Sequence, residues 1–327
     1  MIFPRKDWPF PLCINFGVMK SLVKLNADVV VSSGGFSIAN IAAFLYCKLW
    51  NKQFINWSEF TLEDGSSRSA LKQIIRKILS RYADGSIASS SDSKDAFIYF
   101  GAAPERVKVV LMPVDVATFH LTAAEFRVSA EYQVERDQYP GQVMIVVGRL
   151  DDIKGYREMF EIYERLVMKW KDLTMLIVGS GREADKYEKF VQQKGWANVR
   201  FLGFLEPPQL ARSMALADFS VFPTLNDSFG AVIAEAMAAE LPVVSSIYAY
   251  ATRDLVVDGV TGFRFDPKNP LAACETISKM LSLDAAAKKR MGQRAYQKIR
   301  LHDCSSAAKL ATGFFQSVVK RASYGGK

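Results

Sequence analysis

Short β-branched runs alternate with helical periods along the chain, and that rhythm constrains the fold more than any other feature. Runs at 29–32, 53–56, 85–88 and 107–111 read as strands, and runs at 144–147, 174–178, 199–202, 219–222 and 243–245 repeat the pattern. Helical faces lie between them. Leu71, Ile74, Ile75, Ile78, Leu79 and Tyr82 mark one over 68–82, and Met159, Phe160, Ile162, Tyr163, Leu166 and Val167 mark another. Strands separated by helices pair in parallel, with helices on both faces of the sheet. The expected class is therefore α/β, built from doubly wound sheets. A length of 327 residues favours two domains. The most polar and least periodic stretch, 118–141, holds a Tyr139-Pro140-Gly141 turn and is the expected hinge. This gives an N-terminal lobe over 1–120, a C-terminal lobe over 121–300 and a terminal helix over 301–327. That helix has an apolar face (Ala307, Leu310, Ala311, Phe314, Phe315, Val318, Val319) that must pack, with the N-terminal lobe as one place for it. Two such lobes are expected to face a cleft, where these folds bind ligands.

Composition excludes several classes. Half of the residues are hydrophobic and 23% are charged, which is ordinary for a globular chain and rules out disorder. The net charge of +8 favours anionic partners: nucleotides, phospholipid head groups or nucleic acid. Aromatic residues are not interleaved with the cations as a base-stacking platform requires, which argues against nucleic acid. Cys13, Cys47, Cys274 and Cys304 are too scattered for a metal knuckle or redox pair and suit a reducing compartment. His120 and His302 alone cannot build a multi-histidine zinc site. No G-x-x-x-x-G-K-[ST], H-E-x-x-H, G-x-S-x-G or D-x-D motif is present. Gly179-Ser180-Gly181 follows a strand, but Ala184 stands where a dinucleotide fingerprint needs its third glycine, so a tight turn is expected. The first twelve residues do not read as a signal peptide, and the apolar stretch at 38–47 is too short to span a bilayer. The expected location is cytoplasmic, with the inner membrane face as an alternative.

Three segments of the second half carry candidate chemistry. Gly148-Arg149-Leu150 ends a strand and Lys154-Gly155 enters a helix, so two cations straddle a loop at the carboxyl edge of a sheet. A forked arginine and a point-charge lysine suit a diphosphate; two solvated loop cations are the plain alternative. Asp227-Ser228-Phe229-Gly230 leads into a helix whose first amides can bind an anion. Asp227 would contact a ligand or simply cap that helix. Glu235 lies in the apolar run Ala231–Ala239, where a carboxylate is costly without a partner. A ligand hydroxyl pair would satisfy it; an exposed helix edge is the alternative. Leu241-Pro242-Val243-Val244-Ser245 then reads as a strand, followed by turns at Gly259 and Gly262.

Together these residues resemble the retaining GT-B-fold glycosyltransferases of family 4, the glycosyl transferases of group 1. The matching features are Gly148-Arg149 with Lys154-Gly155, Asp227-x7-Glu235 around Phe229-Gly230, Glu235-Ala236-Met237-Ala238, Pro242-Val243 and Asp258-Gly259 with Gly262. The resemblance runs over about 143–267 and continues more weakly through 83–93 and 101–119. It implies a GT-B architecture of two Rossmann-like lobes. It also implies transfer of a sugar from a nucleotide-sugar donor to a saccharide or lipid-linked acceptor, with retention, without a metal and without a cofactor. Arg149 and Lys154 would neutralise the donor diphosphate, aided by Ser228 and the Phe229 and Gly230 amides. Glu235 would hold the ribose and Asp227 the donor sugar. Glu59, after the strand at 53–56, would be the acidic residue facing the sugar; an acid at a helix start is its alternative.

Two departures stand out. Asp227 is one methylene shorter than the family's usual glutamate, and Ala239-Glu240-Leu241 replaces A-G-L. About four strands are expected in the first lobe where the family has roughly seven, so that lobe is expected to be incomplete, with 29–32 as an edge strand. A nucleotide-sugar-binding accessory or transfer-deficient protein is the alternative function. Arg68, Lys72, Arg76, Lys77 and Arg81 are expected on the polar side of the 68–82 helix, as a solvated face or as a patch for anionic lipid.

Overall fold

The structure, a computed structural model, describes residues 17–33, 37–63 and 70–325. The chain divides into two compact units, residues 1–112 with 305–327 and residues 113–304. In the first, the order is α1 (Gly17–Leu25), β1 (Val29–Ser33), α2 (Ile38–Leu49), β2 (Gln53–Ser58), α3 (Ala70–Tyr82), β3 (Gly85–Ala88), α4 (Ser91–Tyr99) and β4 (Val107–Val109). The four strands form one parallel sheet in sequence order, with Val31 opposite Ile55 and Ile55 opposite Gly85. Alternation along β2 sends Phe54 to one face and Ile55 to the other. Phe54 packs under α2 and α3 with Phe44, Tyr46, Cys47 and Leu79. Ile55, Ile87 and Val110 pack against a long terminal helix on the opposite face.

The second unit holds α5 (Val116–Arg127), α6 (Ala130–Arg136), β5 (Val143–Val147), α7 (Tyr156–Leu166), β6 (Thr174–Val178), α8 (Ala184–Gln193), β7 (Val199–Gly203), α9 (Pro207–Leu216), β8 (Phe219–Phe222), α10 (Ala231–Ala238), β9 (Val243–Ser246), α11 (Ala251–Leu255), β10 (Gly262–Phe265), α12 (Pro270–Leu281) and α13 (Ala285–Ile299). Its six parallel strands run β10-β9-β8-β5-β6-β7. The first strand is thus central, and the winding reverses between β5 and β8. Every residue of β5, β6, β8 and β9 is buried, because helices cover both faces. Tyr156, Met159, Phe160, Ile162, Tyr163 and Leu166 supply the inner side of α7. The terminal helix α14 (Cys304–Gly325) belongs to the first unit from Ser305 onward. Its Ala307, Ala311, Phe314 and Val318 face the first sheet. Gly85 is a close-approach residue there, since a Cβ would lie 2.9 Å from the Phe314 ring.

Several expectations from sequence are corrected. The stretch at 118–141 is mostly helical: α5 buries Val116, Phe119, Ala123 and Phe126 and packs on α9. The division between units falls at Met112/Pro113, before α5, rather than at 120/121. Residues 262–265 form strand β10 where only turns were expected. Gly262 is demanded by close approach, a Cβ there falling 1.9 Å from the Val243 carbonyl oxygen. Helix α3 is turned about its axis relative to the expected orientation. It buries Leu79, Ser80 and Arg76, whose guanidinium lies 4.8 Å from the Phe60 ring centre, while Leu71, Ile74, Ile78 and Tyr82 stand in solvent. Arg68, Cys13 and the first twelve residues lie outside the described residues. As expected, β1 has a single strand neighbour, β2, among the described residues. No helix among the described residues is long and apolar enough to cross a membrane.

Candidate functional site

Three loops meet at the carboxyl edge of the second sheet. The loop after β5 carries Gly148–Gly155, the loop after β6 carries Gly179–Arg182, and the loop after β8 carries Pro223–Gly230. The first two are joined by the Leu150 amide donating to the Ser180 carbonyl at 3.0 Å and the Glu183 amide donating to the Leu150 carbonyl at 3.0 Å. Glycine is obligatory at this contact: a Cβ on Gly181 would lie 2.4 Å from the Leu150 oxygen. The first and third loops are joined by the Leu225 amide and the Thr224 hydroxyl, which donate to the Ile153 carbonyl at 2.9 and 3.2 Å. Gly155 sits at φ +74° against the Pro223 carbonyl, where no side chain fits. Tyr156 is buried at the start of α7 and donates to the Gly148 carbonyl at 2.9 Å. Burial pushes the Tyr156 phenol well above its usual range, so the proton that makes this bond is kept.

Lys154 and Asp227 are brought together across the β5–β8 reversal. Lys154 Nζ lies 2.5 Å from Asp227 Oδ2, and both side chains are largely buried. Asp227 Oδ1 accepts from the Phe229 amide at 3.0 Å. The Asp227 backbone is held on both sides, its amide donating to the Tyr248 carbonyl and its carbonyl accepting from the Tyr250 amide. Asp227 is therefore not the helix cap: that position belongs to Gly230, at φ +87°, and α10 starts at Ala231. Phe229 is buried, its amide is engaged by Asp227, and Ser228 is exposed at the tip of the loop. In the first turn of α10 the Ile233 amide donates to the Gly230 carbonyl at 2.9 Å, and the positive end of the helix lies at Gly230, at the end of the loop after β8.

Glu235 stands on α10, half-buried, among Ile233, Ala234 and Ala236. Its carboxylate has no partner among the described residues. Burial alone pushes its pKa up. A desolvated carboxylate without a cation needs hydroxyl or amide donors from elsewhere.

Arg149 differs from Lys154: its side chain is 72% exposed and only loosely paired, 3.6 Å from Asp151 Oδ2. The other Asp151 oxygen lies 3.6 Å from Arg182 Nε. Asp151 is itself buried, so one enclosed carboxylate sits between two exposed guanidinium groups on the joined loops. Neither Asp151 nor Arg182 stands out in the sequence. Arg182 directly follows Gly179-Ser180-Gly181, and only the adjacency of β5 and β6 brings it to Asp151.

Glu59 belongs to the other unit. It is exposed and directly follows β2. The preceding residue is pinned, since the Ser58 carbonyl accepts from the Ser93 hydroxyl at 3.0 Å. The next described helix begins at Ala70, so Glu59 is not a helix-start acid.

The profile of the family described as Glycosyl transferases group 1 matches residues 133–298, half of the chain. A D-inositol 3-phosphate glycosyltransferase of Corynebacterium efficiens is 27% identical over 252 residues, covering 74% of this chain and 58% of that protein. Another, of Jonesia denitrificans, is 31% identical over 48% of this chain and 39% of that protein. The chain thus spans well under two thirds of the length of these curated relatives. Among solved structures, Anabaena Alr3699/HepE in complex with UDP superposes with a TM-score of 0.77 at 20% identity, covering 92% of this chain and 82% of that one. The lipopolysaccharide outer core galactosyltransferase WaaB gives 0.73 at 19% identity, covering 92% and 78%. These two likenesses establish the GT-B fold.

Proposed function

Because the chain belongs to the glycosyl transferases group 1 family, we propose that it transfers a sugar from a nucleotide-sugar donor to a saccharide or lipid-linked acceptor, with retention of anomeric configuration and without a metal ion. The observation that carries this reading is the arrangement at the β5–β8 reversal. The Arg149–Lys154 loop and the Asp227–Gly230 loop are locked together there, and α10 follows with a half-buried carboxylate, Glu235, that has no partner among the described residues. A reversal of winding in a parallel sheet leaves a crevice beyond the strand ends, suited to a nucleotide.

In this reading Arg149 and Lys154 face the diphosphate and stabilise the charge that grows on it as the glycosidic bond breaks. The first turn of α10 adds its positive end. Glu235 accepts from the ribose hydroxyls, and Asp227 accepts from the donor sugar while keeping Lys154 in place. Ser228 offers a hydroxyl at the loop tip. Glu59 carries a role on the sugar side by resemblance, as the acidic residue after β2. The Corynebacterium and Jonesia relatives act, by name, on D-inositol 3-phosphate, and HepE is described in complex with UDP. A phosphorylated or lipid-linked polyol acceptor and a uridine donor are thus the first to try.

The test is a panel of radiolabelled UDP-, GDP- and ADP-sugars, followed for release and transfer, with the anomeric configuration of the product read by NMR. Transfer with retention that persists in EDTA is expected. Donor binding without transfer to any acceptor would favour the accessory function, and no binding of any donor would refute the reading.

A further inference from the structure

Helices α1, α2 and α3 lie on one face of the first sheet and share a cluster built from Leu22, Phe44, Tyr46, Cys47, Phe54 and Leu79. Their outer side is unusual in two respects. Leaving aside the buried Arg76, the three helices carry Lys20, Lys24, Lys48, Lys72, Lys77 and Arg81, and no aspartate or glutamate. Among the acids of the flanking loops, Asp84 pairs with Lys48 at 2.9 Å and Asp28 with Lys52 at 3.2 Å, and Glu63 stands exposed in the loop before α3.

The outer side is also apolar. Leu71, Ile74, Ile78 and Tyr82 are spaced three, four and four residues apart, a single stripe along α3, and they are 59%, 56%, 42% and 55% exposed. Lys77 and Arg81 form an exposed stripe beside it. Leu25, Leu49 and Trp50 extend the exposed apolar surface onto α1 and the end of α2. The Trp50 ring stacks on buried Tyr46 with centroids 5.1 Å apart, which fixes it at the surface. An apolar patch of this kind marks an interaction site.

We infer that this outer side, centred on α3, docks on the surface of an anionic lipid bilayer. The stripe of Leu71, Ile74, Ile78 and Tyr82 enters the boundary between head groups and acyl chains, about 5–10 Å deep. Lys77 and Arg81 reach the phosphates, and Trp50 sits at the interface, where its amphipathic ring is favoured. The excess of cations over acids on the three helices chooses this partner over a second copy of the chain, whose identical cations would repel. The surface belongs to the first unit alone, so the inference does not rest on the proposed donor site.

The test is co-sedimentation of the full chain with vesicles of phosphatidylglycerol and phosphatidylcholine, against vesicles of phosphatidylcholine alone. Binding to the anionic vesicles is expected, falling steeply in about 0.5 M salt, where charges are screened within a few ångströms. Lys77→Gln and Arg81→Gln should each weaken it about fivefold, the equivalent of about 1 kcal/mol per cation near the surface. Leu71→Ser, Ile74→Ser and Ile78→Ser combined should abolish it. All of these side chains are exposed, so circular dichroism and nucleoside diphosphate affinity should stay unchanged. A blue shift of tryptophan emission on vesicle addition should be lost in Trp50→Phe. The inference is overturned by no vesicle binding, by equal binding to neutral vesicles, or by binding that the α3 substitutions leave intact. It is equally overturned by a dimer in sedimentation equilibrium that Ile74→Glu breaks, since the stripe would then serve a second copy.

Discussion

Replacing Glu235 with glutamine should make the free protein more stable and the donor complex weaker. Glu235 is half-buried on α10 without a partner among the described residues, and burial raises its pKa. An unpaired charge costs more to bury than a neutral amide of the same shape, and only that difference is recovered in Glu235→Gln. Partial exposure of this carboxylate keeps the gain modest, about 1–2 kcal/mol at neutral pH. That corresponds to a rise of about 2–8 °C in melting temperature for a unit of this size. The sign with pH follows from linkage. A carboxyl whose folded pKa is raised binds its proton more tightly when folded, so its contribution is most favourable below its unfolded value and is lost as pH rises through the folded one. The gain in Glu235→Gln should therefore be full at pH 7.5 and vanish below the ordinary carboxylate range. Urea unfolding of both proteins across that range measures it. In parallel, calorimetry should show nucleoside diphosphate binding weakened by about 1.5–3 kcal/mol, the range for hydrogen bonds to a charged group. A variant that is no more stable at pH 7.5, or whose gain persists at low pH, would refute the claim that an unpartnered charge sits there.

The remaining predictions concern the loops. Asp227→Asn should spare the free nucleoside diphosphate, since it releases Lys154 rather than removing it, and should weaken the sugar-bearing donor by about 1.5–3 kcal/mol; paired titrations separate the two. Gly155→Ala should cost about 2–5 kcal/mol in urea, through the left-handed backbone and the collision with the Pro223 carbonyl, and should lower donor affinity as Lys154 shifts. Glu240 sits at φ +56° just past α10, with its amide on the Met237 carbonyl and the following Leu241 amide on the Ala236 carbonyl. Glycine is the usual residue in that motif, so Glu240→Gly should raise the stability measured in urea by about 0.5–1 kcal/mol.

The sequence made the second sheet legible because β5, β6, β8 and β9 are short apolar runs set between amphipathic helices. The strand β10 was hidden. It is four residues long, and its Gly262 reads as a turn residue although its role is close approach to Val243. Helix α5 was hidden for a different reason: its buried positions Val116, Phe119, Ala123 and Phe126 are interleaved with polar residues, which masked the period. The departure at Glu240 places a non-glycine residue at φ +56°, a left-handed angle that the residue type there does not advertise. The apolar period of α3 was correctly read, but period alone says that a helix has a face, not which way it points. Lys154, Asp227 and Glu235 could be found from motif spacing. The Lys154–Asp227 pair, and the buried Asp151 that Arg149 shares with Arg182, depend on which strands become neighbours.

The central claim is that the joined β5 and β8 loops bind the diphosphate of a nucleotide donor. Titration calorimetry with UDP, GDP and ADP tests it most directly, using the full chain, Arg149→Ala and Lys154→Ala. One nucleotide should bind without added metal, and each substitution should weaken it by about 1.5–3 kcal/mol, or roughly 10- to 150-fold. Unchanged affinity in both variants, or no binding of any of the three nucleotides to the folded wild-type chain, would contradict the account.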